Sequence, residues 1–134
     1  MPSIRANELK HYFGEGELRK QILFDNNLTV FPGEIIIMTG PSGSGKTTLL
    51  TLVGALRTVQ DGELEVLGRP LKGASPSKLM NFRREIGFIF QAHNLFESLT
   101  ATQNVRMSLE LMKPKLSPKE LNSRASEMLD RVGL

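Results

Sequence analysis

The sequence predicts an α/β protein with three parts in order: a β-rich beginning, one strand–loop–helix unit suited to phosphate, and an α-helical end. Three observations predict it. The stretch TGPSGSGKTTLL, Thr39–Leu50, follows the apolar run EIIIM and precedes apolar residues at helical spacing. Short β-branched runs bounded by Asn, Asp-Gly and Pro-Gly fill much of residues 1–90. Two capping-box patterns, T-x-x-Q at Thr100 and S-x-x-E at Ser117, start helices in the last part of the chain.

Taken in order, ILFDNNLTVF predicts two short strands around a turn at Asp25, Asn26 and Asn27. Pro32-Gly33 then turns the chain into a strand over Ile35–Met38. A helix starts near Lys46, with Leu49, Leu50, Leu52, Val53 and Leu56 on one face and Gly54 weakening it. In DGELEVLGRPL, Asp61-Gly62 opens a strand pair, Leu64 and Val66 alternate, and Gly68 closes it. Ser75 caps a helix whose first residue is Pro76 and which runs to about Arg84. IGFIF, Ile86–Phe90, predicts a buried strand. The helix from Thr100 is separated by KPKLSP from a last one that begins at Ser117-Pro118. That last helix places Leu121, Ala125, Met128, Leu129 and Val132 on one face and stops at Gly133.

Composition narrows the function. At 134 residues and 40% hydrophobic, the chain supports the core of one domain. Its formal charge of +3 is scattered, and Arg83-Arg84 is followed at once by Glu85, so a solvated helix face is expected rather than a nucleic-acid footprint. With no cysteine there is neither a disulfide framework nor a thiolate metal site, which suits the cytoplasm. Arg5, Glu8 and Lys10 stand where a signal peptide needs an apolar block. The stretch Leu49–Leu56, broken by Thr51 and Gly54, is too short to span a bilayer.

The chemistry lies in the loop. Gly40, Gly45, Lys46 and Thr47 fill the pattern G-x-x-x-x-G-K-[ST]. Glycines let the loop turn back so that several N–H groups point inward as an anion nest. The helix that comes next adds its free N–H groups and its dipole. Gly40, Pro41, Ser42, Gly43, Ser44, Gly45, Lys46, Thr47 and Thr48 are therefore expected to hold the phosphates of a nucleotide. In that arrangement Lys46 reaches the β- and γ-phosphates and Thr47 holds Mg²⁺. A Gly/Ser-rich turn without function, or a phosphate site for another ligand, remain the alternatives at the level of the motif.

FPGEIIIMTGPSGSGKTTLLTLVGAL, then DGELEVLG, then IGFIFQAHNLFESLTATQNV together resemble the ATP-binding subunit of an ABC transporter, over essentially the whole chain. HNLFESLTATQNV and the insert GEGELRKQ are most similar to the exporter and lipoprotein-release type, the macrolide and glycolipid exporters included. The resemblance implies a P-loop NTPase (ABC ATPase) fold. Residues 1–90 would form an antiparallel β subdomain with the phosphate-loop core, and residues 91–134 the start of a helical subdomain. It implies that ATP and Mg²⁺ are the cofactors and that Gln91 opens the loop touching Mg²⁺ and the attacking water. Lys46 and Gln91 are then the catalytic residues, with Thr47 and Gln91 at the metal. It also implies that Tyr12, with Phe13 as runner-up, stacks on adenine. Residues 91–99 would receive a transmembrane permease subunit at the inner face of the cell membrane, and a second ATP-binding subunit would complete a head-to-tail dimer.

The sequence also departs from the family pattern. It shows no LSGGQ-type signature and no apolar strand ending in Asp-Glu, and neither His11 nor His93 stands where a switch histidine would. The chain is accordingly expected to be the N-terminal part of a subunit, with Ile35–Met38 presenting an apolar edge, weak nucleotide binding and no turnover by itself. Two other functions compete: a nucleotide-binding fragment without hydrolysis, and a nucleotide kinase. The strand–glutamine pattern at Gln91 argues against the kinase.

Overall fold

Strands β1 (Ile4–Phe13) and β2 (Lys20–Val30) run antiparallel, and β3 (Asp61–Val66) and β4 (Arg69–Pro70) extend the sheet in the order β2-β1-β3-β4. The computed structural model describes residues 1–92, 94–111 and 114–134. These divide into two units, Met1–Ile86 and Gly87–Leu134, each with its own apolar cluster.

β1 buries Ala6, Leu9 and His11. That spacing breaks the two-residue period of a strand. The break is Glu8, whose φ of +46° makes a bulge and shifts the phase of the remainder of the strand. β2 answers at the same level with Asp25 at φ +48°, next to Asn26, which pairs with Leu9. Asn27 Oδ1 accepts the Glu8 N–H at 2.9 Å, and Asn26 Oδ1 accepts the Phe24 N–H at 3.1 Å. The Asp25-Asn26-Asn27 triplet is therefore a bulge inside one eleven-residue strand, not a turn between two. Its short polar side chains satisfy backbone groups that the ladder leaves unpaired. β3 passes this kink through Gly62, where a Cβ would collide with the Glu8 carbonyl. Leu67 and Gly68, both at positive φ, make the two-residue turn into β4.

Helix α1 (Lys46–Val53) packs Leu49 and Leu52 into a cluster with Leu9, Leu23, Leu64 and Phe82. Burying a side chain such as Leu52 contributes roughly 1.5–3 kcal/mol, far more than an exposed ion pair such as Arg5–Glu65 adds. The apolar stripe is narrower than expected, because Leu50 and Leu56 are exposed. Leu50 lies roughly 100° round the helix from Leu49, and Leu56 lies beyond the helix end at Gly54. Helix α2 (Pro76–Arg83) begins as predicted, with the Ser75 hydroxyl accepting the Lys78 N–H. Its Phe82 is buried, and Arg83 Nη1 donates to the Ala55 carbonyl at 2.9 Å just past the end of α1.

Neither Ile35–Met38 nor Ile86–Phe90 is a strand, contrary to expectation. Among the described residues neither segment is hydrogen-bonded into the sheet, and apolarity alone does not make a strand. Ile35 is 90% exposed and Ile37 82%, the apolar edge anticipated for that segment. Ile89, also 90% exposed, is not the buried residue expected of its segment.

In the second unit, α3 (Ala101–Leu109) and α4 (Pro118–Asp130) meet through Leu109, Leu121 and Ala125. Both capping boxes form: Gln103 Oε1 accepts the Thr100 N–H at 2.8 Å, and Glu120 Oε2 accepts the Ser117 N–H at 2.8 Å. The Ser117 hydroxyl and N–H hold the Glu120 carboxyl below the ordinary carboxylate value. The buried part of α4 is confined to its first two turns, because the cluster reaches only Leu121 and Ala125; Met128 and Val132 are exposed. Of the KPKLSP connection, Lys113 lies outside the described residues.

Candidate phosphate-binding site

The loop from Gly40 to Gly45 turns on three glycines with φ of +149°, +80° and +89°. Gly45 is fixed by two requirements at once. It leaves the loop in the left-handed region, and a Cβ there would lie 2.7 Å from Leu23 Cδ2 and 3.2 Å from the Ile22 carbonyl. Strand β2 is thus the wall against which the loop closes, a contact that the motif does not disclose.

Gly45 precedes α1 as its N-cap and offers no side-chain acceptor. The other three helices carry a hydroxyl cap, Ser75, Thr100 or Ser117, each accepting a backbone N–H. The first N–H groups of α1 are left uncapped, with the positive end of the dipole at the loop. Lys46 lies across the same loop. Its Nζ donates to the carbonyls of Gly40 at 2.7 Å and Pro41 at 2.8 Å and to Ser44 Oγ at 3.2 Å. Donors and a cation therefore converge on a cleft of about 520 Å³ walled by Leu23, Asn26, Met38, Gly40, Ser44 and Lys46. The Thr47 side chain is exposed at the head of the helix, whereas Thr48 is buried. Such an arrangement suits an anion: it offers backbone N–H groups, one ammonium and no carboxylate in the cleft wall.

Tyr12 stands near the end of β1, paired with Gln21, while its neighbour His11 pairs with Leu23, the residue behind Gly45. The sequence-predicted platform and phosphate loop are thus joined through β2. The Tyr12 backbone is clamped by Gln60, whose Oε1 accepts the Tyr12 N–H at 2.7 Å and whose Nε2 donates to its carbonyl at 3.1 Å. Phe13 is engaged differently: it meets the His11 ring edge-on at 5.0 Å and the Arg57 guanidinium at 4.7 Å. His11 is 4% exposed, and its Nδ1 has no hydrogen-bond partner among the described residues. Burial, helped by the Arg57 charge, holds its imidazole below the ordinary value of 6.5.

Gln91 is exposed in the second unit, directly after the segment Ile86–Phe90. The loop behind it contains Leu95 and Phe96, both largely exposed; His93 lies outside the described residues. Sequence reasoning overlooked the residue that shapes this loop. The Asn104 side chain accepts the Phe96 N–H at 2.9 Å and donates to the carbonyls of Phe96, Leu99 and Thr100 at 3.1–3.2 Å. Its place at the first turn of a capped helix was the only signal available.

Among the described residues no group of three or more His, Cys, Asp or Glu could hold a metal, and no helix is long and apolar enough to cross a membrane. Comparison with known proteins is consistent over the whole chain. The family model described as ABC transporter matches residues 23–134. The lipoprotein-releasing system ATP-binding protein LolD 2 of Rhodospirillum rubrum is 39% identical over all of this chain and 58% of its own length. The macrolide export ATP-binding/permease protein MacB of Neisseria gonorrhoeae is 38% identical over all of this chain and 21% of its own. The dimeric ATP-binding cassette MJ0796, in a post-hydrolysis state bound to ADP and Pi, superposes with a TM-score of 0.87. It is 32% identical, over 98% of this chain and 57% of its own. The chain thus spans a little over half the length of the separate ATP-binding relative and about a fifth of the fused exporter.

Proposed function

The chain belongs to the ABC transporter family, and on that premise we propose that it is the nucleotide-binding part of an ATP-hydrolysing subunit that drives export, or lipid or lipoprotein release, through a membrane partner. The observation that carries the proposal is the uncapped start of α1, reached through Gly45 and faced by Lys46. A triphosphate offers what that site lacks, which is acceptor oxygens for the α1 N–H groups and for an ammonium now bonded to loop carbonyls. Gly40 to Thr48 are the phosphate contacts in this reading, with Lys46 at the β- and γ-phosphates. Tyr12 rather than Phe13 is the adenine platform, because Phe13 is held by both the His11 ring and the Arg57 guanidinium, whereas Tyr12 meets one exposed guanidinium, Arg19, and no second ring among the described residues.

Mg²⁺ suits the residues present. It takes few protein ligands beside substrate phosphates and waters, and the exposed Thr47 hydroxyl is a neutral donor of the right kind. When bound, the ion neutralises charge on the phosphate oxygens. The chain's own part is to orient the triphosphate with Lys46 and the loop N–H groups, and to hold the base at Tyr12. Residues 91–99, with Leu95 and Phe96 exposed, are the surface for the membrane partner, and a second ATP-binding subunit completes the site in a head-to-tail dimer. The protein then sits on the cytoplasmic face of the membrane.

Equilibrium binding of ATP, ADP and adenosine to the chain tests this reading. Affinity that rises with the number of phosphates supports it; equal affinity for all three contradicts it.

A further inference from the structure

Arg19 ends the short 3-10 turn Gly16–Leu18 that leads into β2, and its N–H donates to the Gly16 carbonyl at 3.2 Å. The β1–β2 ladder closes with Tyr12 opposite Gln21 and Phe13 opposite Lys20, so Arg19 leaves the sheet just beyond Tyr12. Its guanidinium carbon lies 4.0 Å from the centre of the Tyr12 ring. Among the described residues no carboxylate pairs with Arg19, so the ring is the partner that holds this exposed cation. A planar cation at that distance occupies the place that a stacked base would take.

We infer that Arg19 is an affinity-setting cap on the base site: its guanidinium covers the Tyr12 ring, and an adenine base stacks there only by displacing it. The inference rests on the reading of Tyr12 as the adenine platform. Because the base replaces a cation–π contact instead of covering a bare ring, the measured affinity is lower than stacking alone would give.

The test uses adenosine, which is uncharged, so that loss of the Arg19 charge cannot act through phosphate. Tyr12 is the only tyrosine in the chain, so ring-labelled tyrosine gives one NMR signal that reports both the cap and the bound base. In R19A, and in R19M, which keeps the length of the side chain without its charge, the ring signal of the free protein should move. Adenosine should bind about two- to fivefold more tightly, the range of an exposed cation–π contact. Unchanged or weaker adenosine binding in either variant overturns the cap. Y12A separates the two claims: if it leaves adenosine affinity unchanged, the platform reading fails and the cap falls with it. If Y12A weakens binding while R19A does not tighten it, only the cap fails.

Discussion

At the scale of the residue, neighbouring side chains on β1 have opposite tasks. Tyr12 has a backbone clamped by Gln60 and a ring met by the Arg19 guanidinium, while His11 is a buried ring whose Nδ1 has no hydrogen-bond partner among the described residues. Tyr12→Ala should weaken ATP, ADP and adenosine alike, by about 1–3 kcal/mol if stacking on adenine resembles stacking on single-stranded bases. Tyr12→Phe should be tolerated, and calorimetric titration of the three ligands checks both. A larger effect from Phe13→Ala would move the platform by one residue. His11 gives a pH dependence. Its folded-state value lies below the 6.5 of a free imidazole, so the unfolded chain binds the proton more readily. Stability contributed by the neutral ring is complete above about 6.5 and is lost as pH falls from there toward the folded value. Denaturant melts of the wild type should show this decline, and His11→Leu should flatten it. Parallel pH profiles for the two proteins would contradict the assignment.

At the scale of the element, helices were legible and sheet edges were not. The starts of α2, α3 and α4 stood in the sequence because a cap is local chemistry, a hydroxyl and an N–H three residues apart. The turn through Gly40, Gly43 and Gly45 into α1 was legible because glycine spacing is local as well. β1 was not anticipated, because Arg5, Asn7, Glu8 and Lys10 obscure its alternation and the bulge at Glu8 breaks its period. The two segments wrongly expected to be strands show the converse: Ile35–Met38 and Ile86–Phe90 have β-forming residues, but ladder bonds depend on a neighbour that local sequence does not specify. Asn104 was overlooked because its four hydrogen bonds exist only once the 96–100 loop has folded back onto α3. If it holds that loop in shape, Asn104→Ala should speed hydrogen exchange at the Phe96 amide by about two- to tenfold, the worth of one hydrogen bond. Asn104→Asp, which keeps an acceptor for the Phe96 N–H, should retain part of the protection. No change in exchange at Phe96 would show that the loop is held by other means.

At the scale of the whole molecule, the two units suggest a division of labour. The first carries the phosphate loop and Tyr12, and the second carries Gln91 and the surface at Leu95 and Phe96. Gln91→Ala in the transporter complex should therefore lower partner-stimulated ATP turnover by about tenfold or more, the scale of a misplaced reacting group. ATP affinity should stay within about twofold, because the proposed contacts of Gln91 are to metal, water and partner rather than to the base. A loss of affinity equal to the loss of turnover would place Gln91 in nucleotide binding instead. The central claim is that the molecule grips its nucleotide by the phosphates, at the uncapped head of α1. Calorimetric titration of the wild type and Lys46→Ala with ATP and with adenosine tests it most directly. Removing one charge-assisted contact, roughly 1.5–3 kcal/mol, should weaken ATP about 10- to 150-fold and leave adenosine nearly unchanged. Equal weakening of the two ligands, or none for ATP, would contradict a phosphate-binding role for the loop.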